Sequence, residues 1–152
     1  MSRLTAILRD FAITLWAGGL WAIGYLVAPL LFRALTDNRA LAGALAGRMF
    51  SGIAWVGIVC GSFLLLYEMF IFRGGCLKRP VFWLVLLMSS LTLIMQFWMQ
   101  PFVAALRASG APVAVLPSSS MRNFALWHGV SSALYLLNSL LALVLVLKSR
   151  RS

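Results

Sequence analysis

The chain has 152 residues, 62% of them hydrophobic and only 11% charged, with thirteen Lys and Arg against three acids for a formal charge of +10. Its mean hydropathy is +0.97, whereas a soluble domain carries about a quarter charged residues and a globule this small cannot hide so much apolar surface. Disorder, a fibrous repeat, a secreted disulfide scaffold and a soluble enzyme are excluded, which leaves an integral membrane protein.

The basic residues stand singly or in short groups between apolar runs. That is how membrane proteins mark topology and meet anionic headgroups. No basic stripe with interleaved aromatics is present, so nucleic acid is not expected as a partner. Cys60 falls inside an apolar run and Cys76 in a short basic loop, which suggests neither a disulfide nor a zinc site.

Four apolar runs are each bounded by charge. The first, Phe11 to Phe32, is 22 residues without a charge; at about 1.5 Å per residue it crosses a bilayer core. It is longer than the apolar stretch of a signal peptide, and no prompt small-x-small site follows it, so a retained helix is expected. Pro29 is expected to kink it. Loop one, Ala34 to Arg48, opens on Thr36-Asp37-Asn38, a helix-capping sequence. A helix from about Arg39 is expected, either lying at the interface or lengthening the second span.

The second run, Met49 to Phe72, contains Glu68 as its one charge. The short loop from Arg73 to Pro80 makes the second and third spans an antiparallel hairpin. The third run extends from Val81 to about Leu106, with Pro101 near its far end. Loop three, with Ser109-Gly110-Ala111-Pro112 and Pro117 before three serines, reads as irregular. The fourth run, Phe124 to Leu147, is closed by Lys148, Arg150 and Arg151. The fold class is therefore all-α, a single membrane domain of four transmembrane helices. Lys and Arg number eight on the side of the termini and five on the other. That bias favours both termini in the cytoplasm.

Small residues decide packing in lipid, where leucines gain nothing by leaving the tails. Gly18–Ala22 and Gly24–Ala28 in the first span and Gly57–Gly61 in the second are small-xxx-small pairs, expected to pack within the bundle rather than across a dimer. Trp83, Trp98 and Trp127 fall near span ends as an aromatic belt. Trp21 lies near mid-membrane and is expected to face the bundle. Glu68 lies four residues from the cytoplasmic end, within reach of Arg73 or Lys78, as an interfacial anchor or a proton or cation site.

His128 is the sole histidine. Ser132, Tyr135 and Ser139 follow it on one face of the fourth helix, flanked by Ser131 and Asn138. So many polar groups must point into the bundle. Gln96 and Gln100 lie at a similar depth on the third helix, with Ser89, Ser90 and Thr92 deeper. A polar seam between helices three and four is expected, as a hydrogen-bond network or a binding site. Met88, Met95 and Met99 share a face of helix three, and thioether with imidazole suits Cu(I). One histidine excludes bis-histidine haem, and no acid completes a Ser-His-Asp triad.

Trp16-Ala17-Gly18-Gly19 with Ala28-Pro29-Leu30-Leu31-Phe32 resembles the bacterial branch of the transmembrane-protein-205-like family, a domain of unknown function (4149). The Ala42-Gly43 to Arg48-Met49-Phe50 segment and Phe124-Ala125-Leu126-Trp127-His128, with Ser131, Ser132, Leu137 and Asn138, are similar to its later blocks. The resemblance implies a four-helix membrane protein without an established activity. More distantly, the layout resembles copper-resistance D-type and haem-binding protoporphyrinogen-oxidase-type membrane domains. The latter use a histidine in an early helix, which is missing here. The reading is a non-enzymatic accessory or small-solute-handling component without a cofactor, in contact with lipid and with a membrane-protein partner or a second copy. The alternative is a copper- or haem-handling protein using His128 and the methionine face.

Overall fold

The computed structural model describes residues 3–99 and 118–149. Among them the fold is all-α, with no strand, and four helices are long and apolar enough to span a membrane. In hydrocarbon a helix satisfies its own backbone N–H and C=O groups, which is why apolar runs of this length take that form. We label them α1 (Arg3–Ala34), α2 (Arg39–Phe72), α3 (Pro80–Ile94, continued by a π-helical turn at Met95–Met99) and α4 (Ser118–Ser149).

The helices overrun the charge-bounded apolar runs. α1 starts at Arg3 rather than Phe11, because Arg9 and Asp10 pair side by side at 2.8 Å on an exposed turn and do not interrupt it. The Asn38 side chain accepts the Leu41 N–H at 3.0 Å, as a helix N-cap does. From there α2 runs unbroken to Phe72, so the helix begun in loop one lengthens the second span. A 3₁₀ turn, Arg73–Lys78, links α2 to α3, and Pro80 opens α3, where its missing N–H costs nothing. The far end expected for the third span and all of loop three lie outside the described residues. The Arg9 guanidinium reaches the Ser149 carbonyl at 3.5 Å, which brings the start of α1 beside the end of α4.

The α1 helix is α from Arg3 to Trp21, π from Ala22 to Val27, and α again from Ala28 to Ala34. Pro29 cannot donate to the Tyr25 carbonyl and its ring crowds that carbonyl; one wider turn relieves the clash. A proline stands in the same register after the second π turn, since Pro101 follows Met99 by two residues. Thus the kink expected at Pro29 is taken up as a π turn ahead of it.

The core sits in the half of the bundle nearer the termini. Trp16 is fully buried at its centre, with Met88, Val85 and Leu145. Gly57 and Gly61 make room for the indole: a Cβ on Gly57 would stand 2.5 Å from Trp16 Nε1, and one on Gly61 would meet Ser89 Oγ and the far edge of the ring. The pair therefore packs against α1 and α3 within the bundle. The Gly18–Ala22 pair does not. Nothing lies within 4 Å of a Cβ on Gly18, and both residues are exposed, so this pair faces outward. Gly19, one residue on, is the glycine that meets α2, against Ile53. Gly24 faces the Tyr135 ring of α4, while Ala28 is half-buried. The α1 wheel is turned by one residue from the expected register because the Trp16 side chain, the largest on the helix, takes the inward position.

Packing around an aromatic anchor is intolerant of an added methyl, at about 1–3 kcal/mol for overpacking. Gly57→Ala should lower the thermal midpoint in detergent, whereas Gly52→Ala, with nothing within 4 Å of its Cβ position, should leave it unchanged or raise it slightly through helix propensity.

Candidate functional site

In the half of the bundle remote from the termini the helices part around a cavity of about 430 Å³. α1 contributes Leu20, Gly24, Tyr25 and Phe32; α2 lines it with small residues and with Phe50 and Ile53. α3 and its π turn bring Thr92, Met95 and Gln96, and α4 brings His128, Ser131, Ser132, Tyr135 and Asn138. Both π turns thus place side chains in the wall. Tyr25, Phe32, Leu136 and His128 are exposed while lining the cavity, so it opens sideways between α1 and α4. No charged residue is part of the described lining.

Hydrogen bonds fix the polar groups. Tyr135 donates to the Leu20 carbonyl at 2.6 Å, across the gap that Gly24 leaves open. The Tyr25 and Ser139 hydroxyls meet at 2.6 Å, and Trp21 Nε1 donates to the Ser139 carbonyl at 3.2 Å. Asn138, 2% exposed, donates through Nδ2 to Thr92 Oγ1 at 3.1 Å. Gln96 Nε2 and Ser51 Oγ lie 2.8 Å apart. Ser131 and Ser132 both donate to the His128 carbonyl.

These contacts redraw the polar seam expected between helices three and four. Among the described residues, Asn138 and Thr92 meet across it. The Tyr135 and Ser139 stripe faces α1, because α4 packs between α1 and α3 and its stripe lies on the α1 side, with Asn138 on the flank. Gln96 turns to α2. Ser89 abuts Gly61 instead, and Ser90 is exposed, bonded to its own helix at the Leu86 carbonyl. Trp21 finds an acceptor, yet its ring is 43% exposed at the α1–α4 seam; Trp16 is the indole that the bundle encloses. Gln100 and the Met99 side chain lie outside what the structure describes. Met88 is buried in the core, whereas Met95 borders the cavity. Among the described residues no cluster of three His, Cys, Asp or Glu side chains could hold a metal. Both cysteines are buried and free.

Glu68 lies at the other end of the bundle and is 3% exposed. Its partner is neither Arg73 nor Lys78 but Arg79, whose Nε stands 3.0 Å from Glu68 Oε2. Arg79 precedes Pro80 and enters the α2–α3 crevice stacked over the Phe72 ring at 3.6 Å. Arg73 and Lys78 are exposed on the turn. The guanidinium tolerates partial burial better than an ammonium because it is more weakly hydrated and stacks on aromatic faces. This pair reads as a clasp between α2 and the start of α3.

Removing one partner leaves a buried charge uncompensated. Arg79→Met should destabilise the protein by up to about 3 kcal/mol, the low end for such pairs because the Arg79 side chain keeps 25% exposure. The double variant Glu68→Gln with Arg79→Met should recover part of that loss. A double-mutant cycle of detergent melts measures both.

The model of a domain of unknown function (DUF4149) matches residues 11–112. The matched span holds the described cavity lining from α1, α2 and α3 and ends before α4. No curated protein and no solved structure matches the chain.

Proposed function

We propose, for a chain that belongs to the DUF4149 family, a non-enzymatic role: it holds a small, uncharged, membrane-soluble molecule inside the bundle. One observation carries the reading, a cavity of about 430 Å³ with apolar walls, a neutral polar floor and a sideways opening. The volume is within the roughly 300–1,000 Å³ of small-molecule sites. Polar side chains inside a membrane are costly and collect where a ligand or solute is handled. Helices broken by π turns are rare and occur often at functional sites. Catalysis has less support: the lining serines donate to a backbone carbonyl, and no carboxylate stands near His128 in the described lining.

The finer kinship is to the transmembrane-protein-205-like branch, supported by the Trp16–Gly19 and Ala28–Phe32 blocks inside the matched span. The site belongs to the inner membrane of a bacterial cell, with both termini cytoplasmic. Its partners are bilayer lipid and a membrane protein or second copy, not nucleic acid. A second reading, copper or haem handling, has in its favour that His128 and Met95 border the same cavity.

Mass-spectrometric inventory of mildly solubilised protein tests both. A neutral molecule should be retained in excess over bulk lipid and be depleted in Ala54→Phe, which fills the cavity. Stoichiometric copper or a Soret band would favour the second reading instead, and retention of bulk lipid alone would refute the first.

Sidedness has its own test. In a background without Cys60 and Cys76, a cysteine at Thr36 should react with an impermeant maleimide added to intact cells, and one at Gly74 should not. The reverse pattern would invert the topology and leave the four spans intact.

A further inference from the structure

The cavity's hydrogen-bond polarity narrows what it can hold. Inside a protein every hydroxyl carries one hydrogen, and where that hydrogen goes is set by neighbours that can only accept. Backbone carbonyls are such neighbours. Tyr135 donates to Leu20 O, Ser131 and Ser132 to His128 O, and Thr92 to Met88 O at 2.9 Å. Ser139 donates to Leu136 O at 2.8 Å, so in its contact with Tyr25 the tyrosine must be the donor. All five hydroxyl hydrogens of the described lining are therefore committed within the protein.

Asn138 is fixed by the same reasoning. Thr92 Oγ1 has given its hydrogen to Met88 O and can only accept from Asn138, which sets Nδ2 toward Thr92 and leaves Oδ1 on the other side. Turning the amide over would take the Thr92 hydrogen for Oδ1. Two oxygens would then stand 2.9 Å apart with no hydrogen between them. Asn138 Oδ1 is buried without a hydrogen-bond partner in a side chain that lines the cavity, and Gln96 Oε1 in the same lining is likewise unpartnered. Such an orphan acceptor is destabilising until something donates to it.

We infer that the cavity selects an uncharged amphipath whose head group donates a hydrogen bond, a hydroxyl-bearing lipid or long-chain alcohol, with Asn138 Oδ1 as its acceptor. This rests on the ligand-holding reading above. The apolar walls take the tail, and the opening between α1 and α4 admits it from the bilayer. An anion would find no cation in the described lining. An ammonium would find no carboxylate there, and an uncompensated charge at this depth is disfavoured. A carbonyl or ether head would leave Asn138 Oδ1 unmet.

The test compares 1-tetradecanol with its methyl ether, which differs by the missing hydrogen. Retention of each is measured on nanodiscs holding the full chain, relative to protein-free discs. The alcohol should be held about five- to tenfold more tightly than the ether, the equivalent of one hydrogen bond. Asn138→Leu should bring the alcohol down to the ether's level. That variant leaves Thr92 bonded to Met88 and strands no hydrogen, and its melt is recorded alongside. Equal retention of alcohol and ether, both above empty discs, would overturn the donor inference and keep the cavity as a binding site. Retention of neither would overturn both. A preference for the alcohol that survives Asn138→Leu would remove Asn138 from the role. The comparison of alcohol with ether on the wild-type chain decides the donor question whether or not the variant folds.

Discussion

In hydrocarbon a polar hydrogen has no water to bond, so leaving it without an acceptor inside the protein is costly. Helices meet that demand for the backbone and also offer their carbonyls to hydroxyls one turn away. Thr92, Ser131, Ser132 and Ser139 all take this route. The two tyrosines find acceptors across the α1–α4 seam, at the Leu20 carbonyl and at Ser139. The hydroxyl hydrogens of the described lining are thereby consumed, whereas Trp16 Nε1 in the core is buried without a partner. The cavity's hydroxyl oxygens end as acceptors, as groups with one hydrogen and two lone pairs do once the hydrogen is committed.

The two halves of the bundle differ because of a tryptophan at one end and prolines at the other. Trp16 draws α1 and α2 together where Gly57 and Gly61 admit it, and Met88 and Leu145 close the remaining space. Association in lipid depends on such close van der Waals packing. Beyond Trp21 the α1 helix widens into a π turn, and α3 does the same beyond Ile94. A π turn inserts an extra residue and rotates the rest of the helix about its axis, so the register that packs the first half cannot be kept through the second. The cavity lies where that register is lost.

Charge-bounded apolar runs made the four spans legible in the sequence, and Asn38 made the start of α2 legible. The Gly57–Gly61 spacing likewise pointed to the packing seam. Less could be read of the site. A helix wheel gives which residues of α4 share a face, but not which neighbour that face meets, so Tyr135 and Ser139 read as facing α3 when α1 receives them. Glu68 had Arg73, Lys78 and Arg79 within eleven residues of it, and spacing cannot tell that Arg79 is the one that enters the crevice, held over Phe72. Gly18 and Gly19 are adjacent glycines whose roles differ by one residue's rotation around the helix, a difference decided by where the Trp16 ring lies. The π turns do carry a signal in the sequence: a proline within a long apolar run, two residues beyond each turn.

The closed end also constrains what the open end can do. Between the cavity and the terminal side of the bundle stand Trp16, Val85, Met88 and Leu145, all but inaccessible to solvent. Past them the Glu68–Arg79 clasp joins α2 to α3, and Arg9 reaches the Ser149 carbonyl of α4. A molecule in the cavity therefore has no continuous route through the bundle in this conformation. Among the described residues the exposed part of the lining lies along α1 and α4, at Tyr25 and Leu136. A lateral opening above a packed floor suits the proposed holding of a membrane-soluble molecule. Conduction across the bilayer would require the Trp16 core to come apart, the part of the structure where side chains and glycines fit most closely.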